Sequence, residues 1–223
     1  MIDIHLLVRY AGFIMKSVRT PRQQRGIETK ERLRRAAFSL YAEKGIYNTN
    51  SREIAEKAEV SIGSFYSYFK NKHNLLLEML EDYLDRHFLA IWKALEDITI
   101  NEMRRGDILG IIRSVFAAYG ISPKFHRQTQ ALRYSDAEVN RIYERERRRE
   151  ITQIRSLLES NRQRLQLQDP EAAALIIHNA VESAAHTVRF IGSSVDEERL
   201  ASALADMIYN YLLHGGRNRQ AAF

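Results

Sequence analysis

The chain has 223 residues with no cysteine, three prolines and ten glycines, and 28% of its residues are charged. The absence of cysteine excludes disulfides and thiol chemistry and is typical of a cytoplasmic protein in a reducing environment. No apolar run reaches the ~20 residues that a membrane span needs, and the scarcity of Gly and Pro favours an all-α fold of one or two domains with a substantial core.

The first 26 residues form an N-terminal extension that ends in a basic arm. Residues 1–15 are apolar but are interrupted by charged side chains, an order that differs from that of a signal peptide. We expect Met15 to be the native start, followed by the basic arm from Lys16 to Arg25. The alternative is a short N-terminal helix that packs on the surface of the protein.

Positive charge is concentrated in the first third of the chain. Residues 16–73 contain 13 Lys and Arg against 6 Asp and Glu, whereas residues 74–223 contain 20 against 21. The whole positive excess of this protein, whose net charge is +6, therefore lies in residues 16–73. Such a concentration is the electrostatic footprint of duplex DNA binding, and the alternative for the arm alone is a solvated charged tail.

Three consecutive helices are predicted after the arm. Apolar residues spaced three and four apart indicate an amphipathic helix from Ile27 to Lys44, which Gly45 would end in a left-handed conformation. A second helix of two turns follows Asn50, a suitable N-cap, and a turn of about three residues leads to a short third helix capped by Ser61. A helix this short needs neighbours to hold it, which is the arrangement of a helix-turn-helix unit.

The side chains of the third helix divide into a buried set and an outward set. Phe65 and Phe69 lie four residues apart on one face, which we expect to be buried together with Ile54 and Val60. Gly63 removes a side chain near the start of the helix, so the backbone could approach a large partner closely. The other side chains of this helix would face that partner.

This three-helix segment resembles the DNA-binding domain of the TetR family of bacterial transcriptional regulators. The resemblance extends from about Ile27 to Leu80 and rests on many spaced residues in a fixed order. They are Ala36-Ala37-Phe38, Leu40 to Gly45, Thr49, Ile54-Ala55, Ala58, Val60-Ser61, Gly63 to Tyr66, Tyr68-Phe69, Lys72 and Leu75-Leu76. Glu59 departs from the family, which usually has glycine in this turn, and a left-handed backbone there would cost about 1 kcal/mol.

The resemblance implies specific contacts with DNA if the third helix enters the major groove. Tyr66 and Lys72 match positions that contact phosphates in relatives, whereas Ser64 and Ser67 match positions that influence sequence preference, and Ile62 could meet a thymine methyl group. The N-terminus of the second helix would suit a further phosphate. The predicted DNA contacts are Thr49, Asn50, Arg52, Ser61, Ile62, Gly63, Ser64, Tyr66, Ser67, Tyr68 and Lys72.

The rest of the chain is predicted to be a bundle of about six further helices. Hydrophobic periodicity and capping residues place them at Leu75–Thr99, Ile108–Gly120 with Asp107 as cap, Pro123–Arg133, a long helix from the Ser135-Asp136 cap through Leu165, Ala172–Ile191 after Asp169-Pro170, and Asp196–Leu213. The predicted architecture is therefore an all-α protein with a helix-turn-helix domain in residues 27–73 and a helical ligand-binding and dimerisation domain in residues 74–223.

A highly charged run extends from Arg141 to Glu150 within the long predicted helix. Acidic residues are interleaved with the arginines, which favours local ion pairs on an exposed helix. A second nucleic-acid-binding patch is the alternative.

The last two predicted helices are apolar on more than one face. A helix that is apolar on most sides must be buried on most sides, and two copies of the chain could bury these helices in a four-helix interface. The resemblance implies the same homodimer. The third helices of its two copies would lie about 34 Å apart, on successive major grooves of a palindrome. The predicted interface residues are Ala180, Ala184, Leu204, Ile208 and Tyr211.

The resemblance further implies a small-molecule effector that binds among the middle helices and releases the DNA. A pocket of this kind combines apolar walls with a few convergent polar groups. The candidate residues are Trp92, Phe116, Tyr119, Phe125, His126, Tyr134, His178 and Glu182, and their alternative role is ordinary core packing.

His178, Glu182 and His186 follow one another at four-residue spacing and would share one face of a helix. Two imidazoles and a carboxylate could hold a divalent metal or orient a ligand, but such residues more often form a structural hydrogen-bond network. We therefore expect no metal and no cofactor.

Together these patterns favour a dimeric repressor that binds a palindromic operator in double-stranded DNA and is released by a small molecule. One alternative is an architectural or constitutive DNA-binding regulator without an effector, in which side chains would fill the centre of the bundle. Another is an enzyme that uses His178, Glu182 and His186, although the sequence lacks a nucleophile motif and a glycine-rich phosphate loop.

Overall fold

The computed structural model describes residues 21–96, 104–165 and 167–214, which form helices and connecting loops without any strand. The all-α prediction is confirmed. Residues 1–20, with Met15 and the first half of the basic arm, lie outside the described residues. The helices are α1 (Pro21–Lys44), α2 (Ser51–Lys57), α3 (Ile62–Tyr68), α4 (Lys72–Glu96), α5 (Arg105–Tyr119), α6 (Pro123–Leu132), α7 (Ala137–Ser160), α8 (Arg162–Leu165), α9 (Pro170–His186) and α10 (Glu197–His214).

One hydrophobic core lies beneath the first three helices. Leu33, Ile54, Phe65 and Leu80 are fully buried in it, and they come from α1, α2, α3 and α4. Phe125 of α6 and several residues of α7 complete the same core. Each large apolar side chain buried in this way contributes about 1.5–3 kcal/mol. The helix-turn-helix unit is therefore packed on the bundle and shares its core with α6 and α7.

A second core lies farther along the bundle, between α5, α9 and α10 and the second half of α4. Ile112 and Phe116 of α5 are fully buried there. Ala173 and Ala174 of α9, with Ala205 of α10, present small side chains, which let these helices approach closely. Because α4 contributes to both cores, it links the helix-turn-helix unit to the far end of the bundle.

Four helices, α1, α4, α5 and α9, begin earlier than the sequence pattern predicts. α1 starts at Pro21, which suits a first helical turn because proline has no N–H to pair. α5 starts at Arg105, so Asp107 is not the N-cap but lies inside the first turn. Its carboxylate accepts a hydrogen bond from the backbone N–H of Arg104 at 2.6 Å. This bond stabilises the helix start, as an N-cap side chain does, by pairing a free backbone N–H.

The long helix predicted through Leu165 is interrupted after Ser160. The side chain of Asn161 donates to the backbone carbonyl of Leu157 at 2.8 Å, and its backbone N–H turns back to Leu158. Competition of this kind between an asparagine side chain and the helical ladder favours a helix end. A single turn, α8, follows the break.

The predicted N-caps of the later helices are confirmed at Asp136 and Asp169, whose side chains accept backbone N–H groups of α7 and α9. The helix predicted through Ile191 is α-helical only to His186 and continues as one π-helical turn to Ile191. Gly192 ends it with a φ of +97°, a conformation that favours glycine.

The charged run of α7 pairs chiefly with another helix. Arg145 donates to Glu81 at 2.7 Å and Arg149 to Asp85 at 2.5 Å, both on α4. The guanidinium of Arg149 also lies 3.6 Å from the ring centroid of Phe88. The interpretation as ion pairs on a helix surface fits these contacts, although the pairs bridge α7 and α4 more than they run along α7. Across the described ranges, no helix combines the length and hydrophobicity of a membrane span.

Candidate nucleic-acid interface and ligand cavity

α3 is fixed to the protein by one face only. Phe65 is fully buried, and Phe69 at the end of the helix is nearly so. The rest of the helix surface carries Ile62, Tyr66 and Tyr68, which are large side chains with substantial exposure. Exposed apolar and aromatic groups beside buried anchors indicate a surface that meets a partner.

The start of α3 is capped as the sequence predicts. The hydroxyl of Ser61 accepts the backbone N–H of Ser64 at 3.0 Å and lies 3.0 Å from the hydroxyl of Ser64. Ser67 donates its hydroxyl proton to the carbonyl of Gly63 at 3.0 Å. These hydroxyl groups are satisfied within α3, and each oxygen keeps acceptor capacity for a base or a water. The ring of Tyr66 packs edge-on against Phe65 with centroids 5.4 Å apart, which orients it outward.

α2 begins with a complete capping box. The side chain of Asn50 accepts the backbone N–H groups of Arg52 and Glu53 at 3.0 and 3.1 Å, and Glu53 in return accepts the backbone N–H of Asn50 at 3.0 Å. Asn50 and Arg52 are exposed at this end of the helix, as predicted for residues that approach a phosphate.

The turn between α2 and α3 is a Schellman motif with a glutamate in the left-handed position. The backbone N–H of Glu59 bonds to the carbonyl of Glu56, and that of Val60 bonds to the carbonyl of Ala55, each at 3.0 Å. Glu59 has a φ of +54°, the left-handed conformation that glycine adopts most easily. The turn therefore has the left-handed form that a glycine would give, and Glu59 carries the backbone strain.

The prediction that Thr49 contacts DNA is wrong. Its side chain is only 1% exposed, and its hydroxyl donates to the carbonyl of Gly45 at 2.8 Å. A buried hydroxyl that already has a partner stabilises the loop before α2 and cannot reach a phosphate. The sequence pattern did not reveal this because Thr49 precedes a helix start, where exposed residues are common.

Lys72 bonds to the same loop between α1 and α2. Its ammonium donates to the carbonyls of Ile46 at 2.8 Å and Tyr47 at 3.2 Å, and also to the carbonyl of Thr49. Burial lowers the pKa of Lys72, although the nearby carboxylate of Glu53 opposes this effect. The ammonium of Lys72 therefore stabilises this loop, whereas the sequence predicted only a phosphate contact for it.

A cavity of about 140 Å³ lies in the bundle between α4, α5, α7, α9 and α10. Four of the predicted ligand residues line it, namely Trp92, Tyr119, His178 and Glu182. The remaining lining is aliphatic except for Glu150, which projects from the charged run of α7. Sequence reasoning missed Glu150 because it stands in a run of charged residues, and no local signal distinguishes it from them.

Glu150, His178 and Glu182 form the polar end of the cavity. The Nε2 atom of His178 lies 2.8 Å from a carboxylate oxygen of Glu150, while Nδ1 lies 3.7 Å from Glu182. Burial alone would lower the pKa of His178, but the hydrogen bond and charge of Glu150, with the charge of Glu182, outweigh burial and raise the pKa. His178 therefore tends to carry a positive charge that pairs with Glu150.

The other predicted ligand residues lie elsewhere. Phe116 is buried in the core behind the cavity, and Phe125 belongs to the core beneath α1. Tyr134 is 91% exposed, so its prediction as a cavity residue is wrong. It follows α6 in the loop before α7, where helical periodicity gives no information about direction.

His126 and His186 belong to an aromatic cluster beside the cavity. Their Nε2 atoms are 3.3 Å apart, and His126 Nδ1 lies 3.2 Å from the hydroxyl of Tyr83. Burial, with the neighbouring histidines, lowers the pKa of His126 to about 3, and burial also lowers that of His186. His186 bonds with His126, whereas His178 bonds with Glu150, so these two histidines have different partners. Within the described ranges, no group of three or more His, Cys, Asp or Glu is arranged to hold a metal.

The exposed apolar residues of α9 and α10 are mostly not the residues predicted to form the dimer interface. Leu204 and Ile208 are buried inside the protomer, where α10 packs on α5. Their prediction as interface residues is wrong because the bundle itself covers that face. Ala180 and Ala184 are half-buried, and Tyr211 is 36% exposed. The most exposed apolar side chains of α9 and α10 are Leu175, Ile176, Met207 and Tyr211.

Residues 33–79, from the middle of α1 to the second turn of α4, match the family model described as bacterial regulatory proteins, tetR family. This segment of the chain is similar to the TetR family. The match contains the Schellman turn, all of α3 and the loop that Lys72 closes, so the TetR unit coincides with the geometry described above.

The chain is also similar to individual HTH-type transcriptional regulators. The chain is 46% identical over 55 residues to the uncharacterized HTH-type transcriptional regulator YuxN of Bacillus subtilis, a segment that covers 25% of this chain and 19% of YuxN. It is 28% identical over 113 residues to the HTH-type transcriptional repressor KstR2 of Mycolicibacterium smegmatis, which covers 51% of each chain. The chain thus spans about half or less of the length of these two relatives.

The likeness to solved structures extends beyond the matched segment. The solved structure of the fatty acid degradation regulator FadR from Bacillus halodurans superposes with a TM-score of 0.63 over 91% of this chain and all of FadR. The sequences are 20% identical, so this likeness concerns the fold. It includes the helical bundle that surrounds the cavity.

Proposed function

We propose that this TetR-family chain is a DNA-binding transcriptional regulator whose α3 enters the major groove. The observation that carries the proposal is the division of α3 into the buried anchor Phe65 and an outward face with Ile62 and Tyr66. A helix held in this way presents side chains to base edges and phosphates without unfolding its own support. The positive excess of residues 16–73 supports binding to the phosphate backbone. Such a regulator would act on DNA in the cytoplasm.

We infer that the regulator works as a homodimer on a palindromic operator. Ile176 is 52% exposed and Met207 is 50% exposed, and they lie on α9 and α10 with Leu175 and Tyr211. Covering these apolar side chains with the same face of a second copy would form a two-fold interface. Two α3 helices related by that axis would meet successive major grooves.

We also propose that the cavity binds a small effector and that α4 transmits its presence to the DNA-binding unit. α4 begins at Lys72, which holds the loop before α2, and reaches the cavity wall at Trp92. Twenty residues of α-helix span about 30 Å, so a shift at one end of α4 can move the other. By analogy with KstR2, whose name describes it as a repressor, we infer that DNA binding represses transcription and that the effector relieves it.

A regulator without an effector is the second candidate. It predicts a bundle centre filled by side chains, whereas the described bundle contains a cavity with a polar end. The observation therefore favours an effector. The enzyme alternative is not favoured, because His186 bonds with His126 while His178 bonds with Glu150.

Fluorescence anisotropy with labelled duplexes from the region upstream of the gene tests the proposal. We expect the full chain to bind one duplex preferentially, with an affinity that falls steeply as salt rises. Tyr66→Phe should weaken binding to all duplexes, whereas Ser67→Ala or Ser64→Ala should change the order of preference among them. Failure to bind any duplex at low salt would overturn the proposal.

A further inference from the structure

We propose that the cavity selects a small amine carried on an apolar body of about one ring, with the ammonium group held by Glu182. This inference rests on the proposed effector role of the cavity and adds the chemical class of its ligand. It is drawn from the size of the cavity, its apolar walls and the charges at its polar end.

The walls and size of the cavity define the body of the ligand. Side chains from five helices, such as Ile112, Ile154 and Val181, make the walls almost wholly apolar. The volume of about 140 Å³ is close to that of an engineered apolar cavity of about 150 Å³ that binds benzene. A single ring or a short branched chain would therefore fill the space.

The polar end of the cavity leaves one carboxylate available to a ligand. His178 uses Nε2 to bond Glu150 at 2.8 Å, so these two groups satisfy each other. Glu182 lies 3.7 Å from His178 Nδ1, which exceeds hydrogen-bond distance, and its side chain is one quarter exposed. The carboxylate of Glu182 is thus an acceptor on the cavity wall that can bond a donor of the ligand.

The charged residues that line the cavity favour a ligand with a positive charge. Two carboxylates and one histidine line the cavity, and neither lysine nor arginine lines it among the residues that the structure describes. A carboxylate or phosphate on the ligand would face Glu150 and Glu182 without a free cation to pair with, which disfavours anions. An ammonium group would instead complete a charge-assisted hydrogen bond with Glu182.

A small polar chamber next to the cavity provides further acceptors, and the two arginines on its wall already have partners, Arg133 in Glu144 and Arg147 in Asn179. Tyr119, Glu150 and Glu182 line both spaces, and the chamber of about 20 Å³ has room for one water. His87 Nε2 and Glu146 Oε1 are buried at its wall without a hydrogen-bond partner in the described part of the chain. A water or a second N–H of the ammonium at this position would give these buried atoms a partner.

The sole tryptophan of the chain provides a direct signal for binding. Trp92 lines the cavity, so its fluorescence reports occupancy at this site. The full chain would be titrated with 2-phenylethylamine, 2-phenylethanol and phenylacetate, which share one ring and differ in the charge of the head group. We expect the amine to change the fluorescence at concentrations at least tenfold lower than the alcohol, and phenylacetate to bind more weakly than either.

Three variants test whether the compounds bind in this cavity and whether Glu182 selects the amine. Glu182→Gln should remove the tenfold preference for the amine and leave binding of the alcohol nearly unchanged. Glu171→Gln makes the same chemical change at an exposed position on the same helix and should alter nothing. Val181→Phe should fill the cavity and abolish the response to all three compounds.

The inference is overturned if phenylacetate binds as tightly as the amine, if none of the compounds binds, or if Glu182→Gln keeps the preference. Anisotropy of a labelled duplex in the same samples distinguishes this failure from failure of the proposed function. A chain that binds DNA but not the amine refutes the ligand class alone. A chain that binds the amine but no duplex refutes the regulator and retains the amine site.

Discussion

Replacing Lys72 with methionine removes an ammonium group and keeps most of the length of the side chain. The ammonium donates to the carbonyls of Ile46, Tyr47 and Thr49 and so holds the loop between α1 and α2. A hydrogen bond to a charged group contributes about 1.5–3 kcal/mol when buried. Since Lys72 is only partly buried, water would replace part of this, and we expect a net loss of about 2 kcal/mol.

Thermal unfolding of the purified chain measures this loss. For a chain of this length, a loss of about 2 kcal/mol lowers Tm by about 4–8 °C. Lys70→Met is the matched control, because Lys70 is exposed in the loop between α3 and α4 and precedes Lys72 by two residues. We expect its Tm to stay within about 1 °C of the wild type.

DNA binding separates the structural role of Lys72 from a phosphate contact. A lysine that contacts a phosphate reduces the slope of log K against log salt by about one when it is removed. We expect Lys72→Met to keep the wild-type slope at temperatures where the variant is folded. An unchanged Tm together with a slope reduced by about one would refute the structural role and restore the phosphate contact.

Three other substitutions test separate parts of the structure. Glu59→Gly should relieve the left-handed strain and raise the free energy of unfolding by about 1 kcal/mol, which a higher urea midpoint would show; a lower midpoint would contradict it. Burial raises the pKa of Glu146 from 4.5 to about 7, so the folded state holds this proton where the unfolded state has lost it, and the resulting stability is lost as pH rises to about 7. Glu146→Gln should therefore gain stability relative to the wild type between pH 5 and pH 8, by at most about 3 kcal/mol, and a constant difference across this range would argue against the shifted pKa. Ile176→Arg should place a charge in the apolar face of α9 and produce monomers in sedimentation equilibrium, whereas persistent dimers would exclude this face.

The local elements of the helix-turn-helix unit were predictable from the sequence because their chemistry is local. A capping residue acts on N–H groups only two or three residues away, so Asn50 and Ser61 identify the starts of α2 and α3 without knowledge of the fold. The four-residue spacing of Phe65 and Phe69 likewise identified the buried face of α3. At Glu59, where relatives usually have glycine, the sequence left open whether the turn is strained or of a different type, and the structure has the left-handed conformation.

The misplaced residues were those whose surroundings depend on distant parts of the chain. Periodicity shows that Leu204 and Ile208 lie on an apolar face, but α5 of the same protomer covers that face. Thr49 is buried in the loop between α1 and α2, and Lys72 reaches that loop from α4. Glu150 reaches the cavity from a run of surface ion pairs. Each placement requires the packing of several helices, which one sequence does not encode locally.

A hydroxyl-radical footprint on the DNA upstream of the gene tests the central claim most directly, since α3 is proposed to read a palindrome as one of a symmetric pair. The account predicts two related protected half-sites, centred about one helical turn apart. Ile62→Glu, which introduces a charge on the exposed face of α3, should erase both patches together while the fold persists. Absence of protection in the wild type, or protection that survives in Ile62→Glu, would contradict the assignment of α3 as the reading helix.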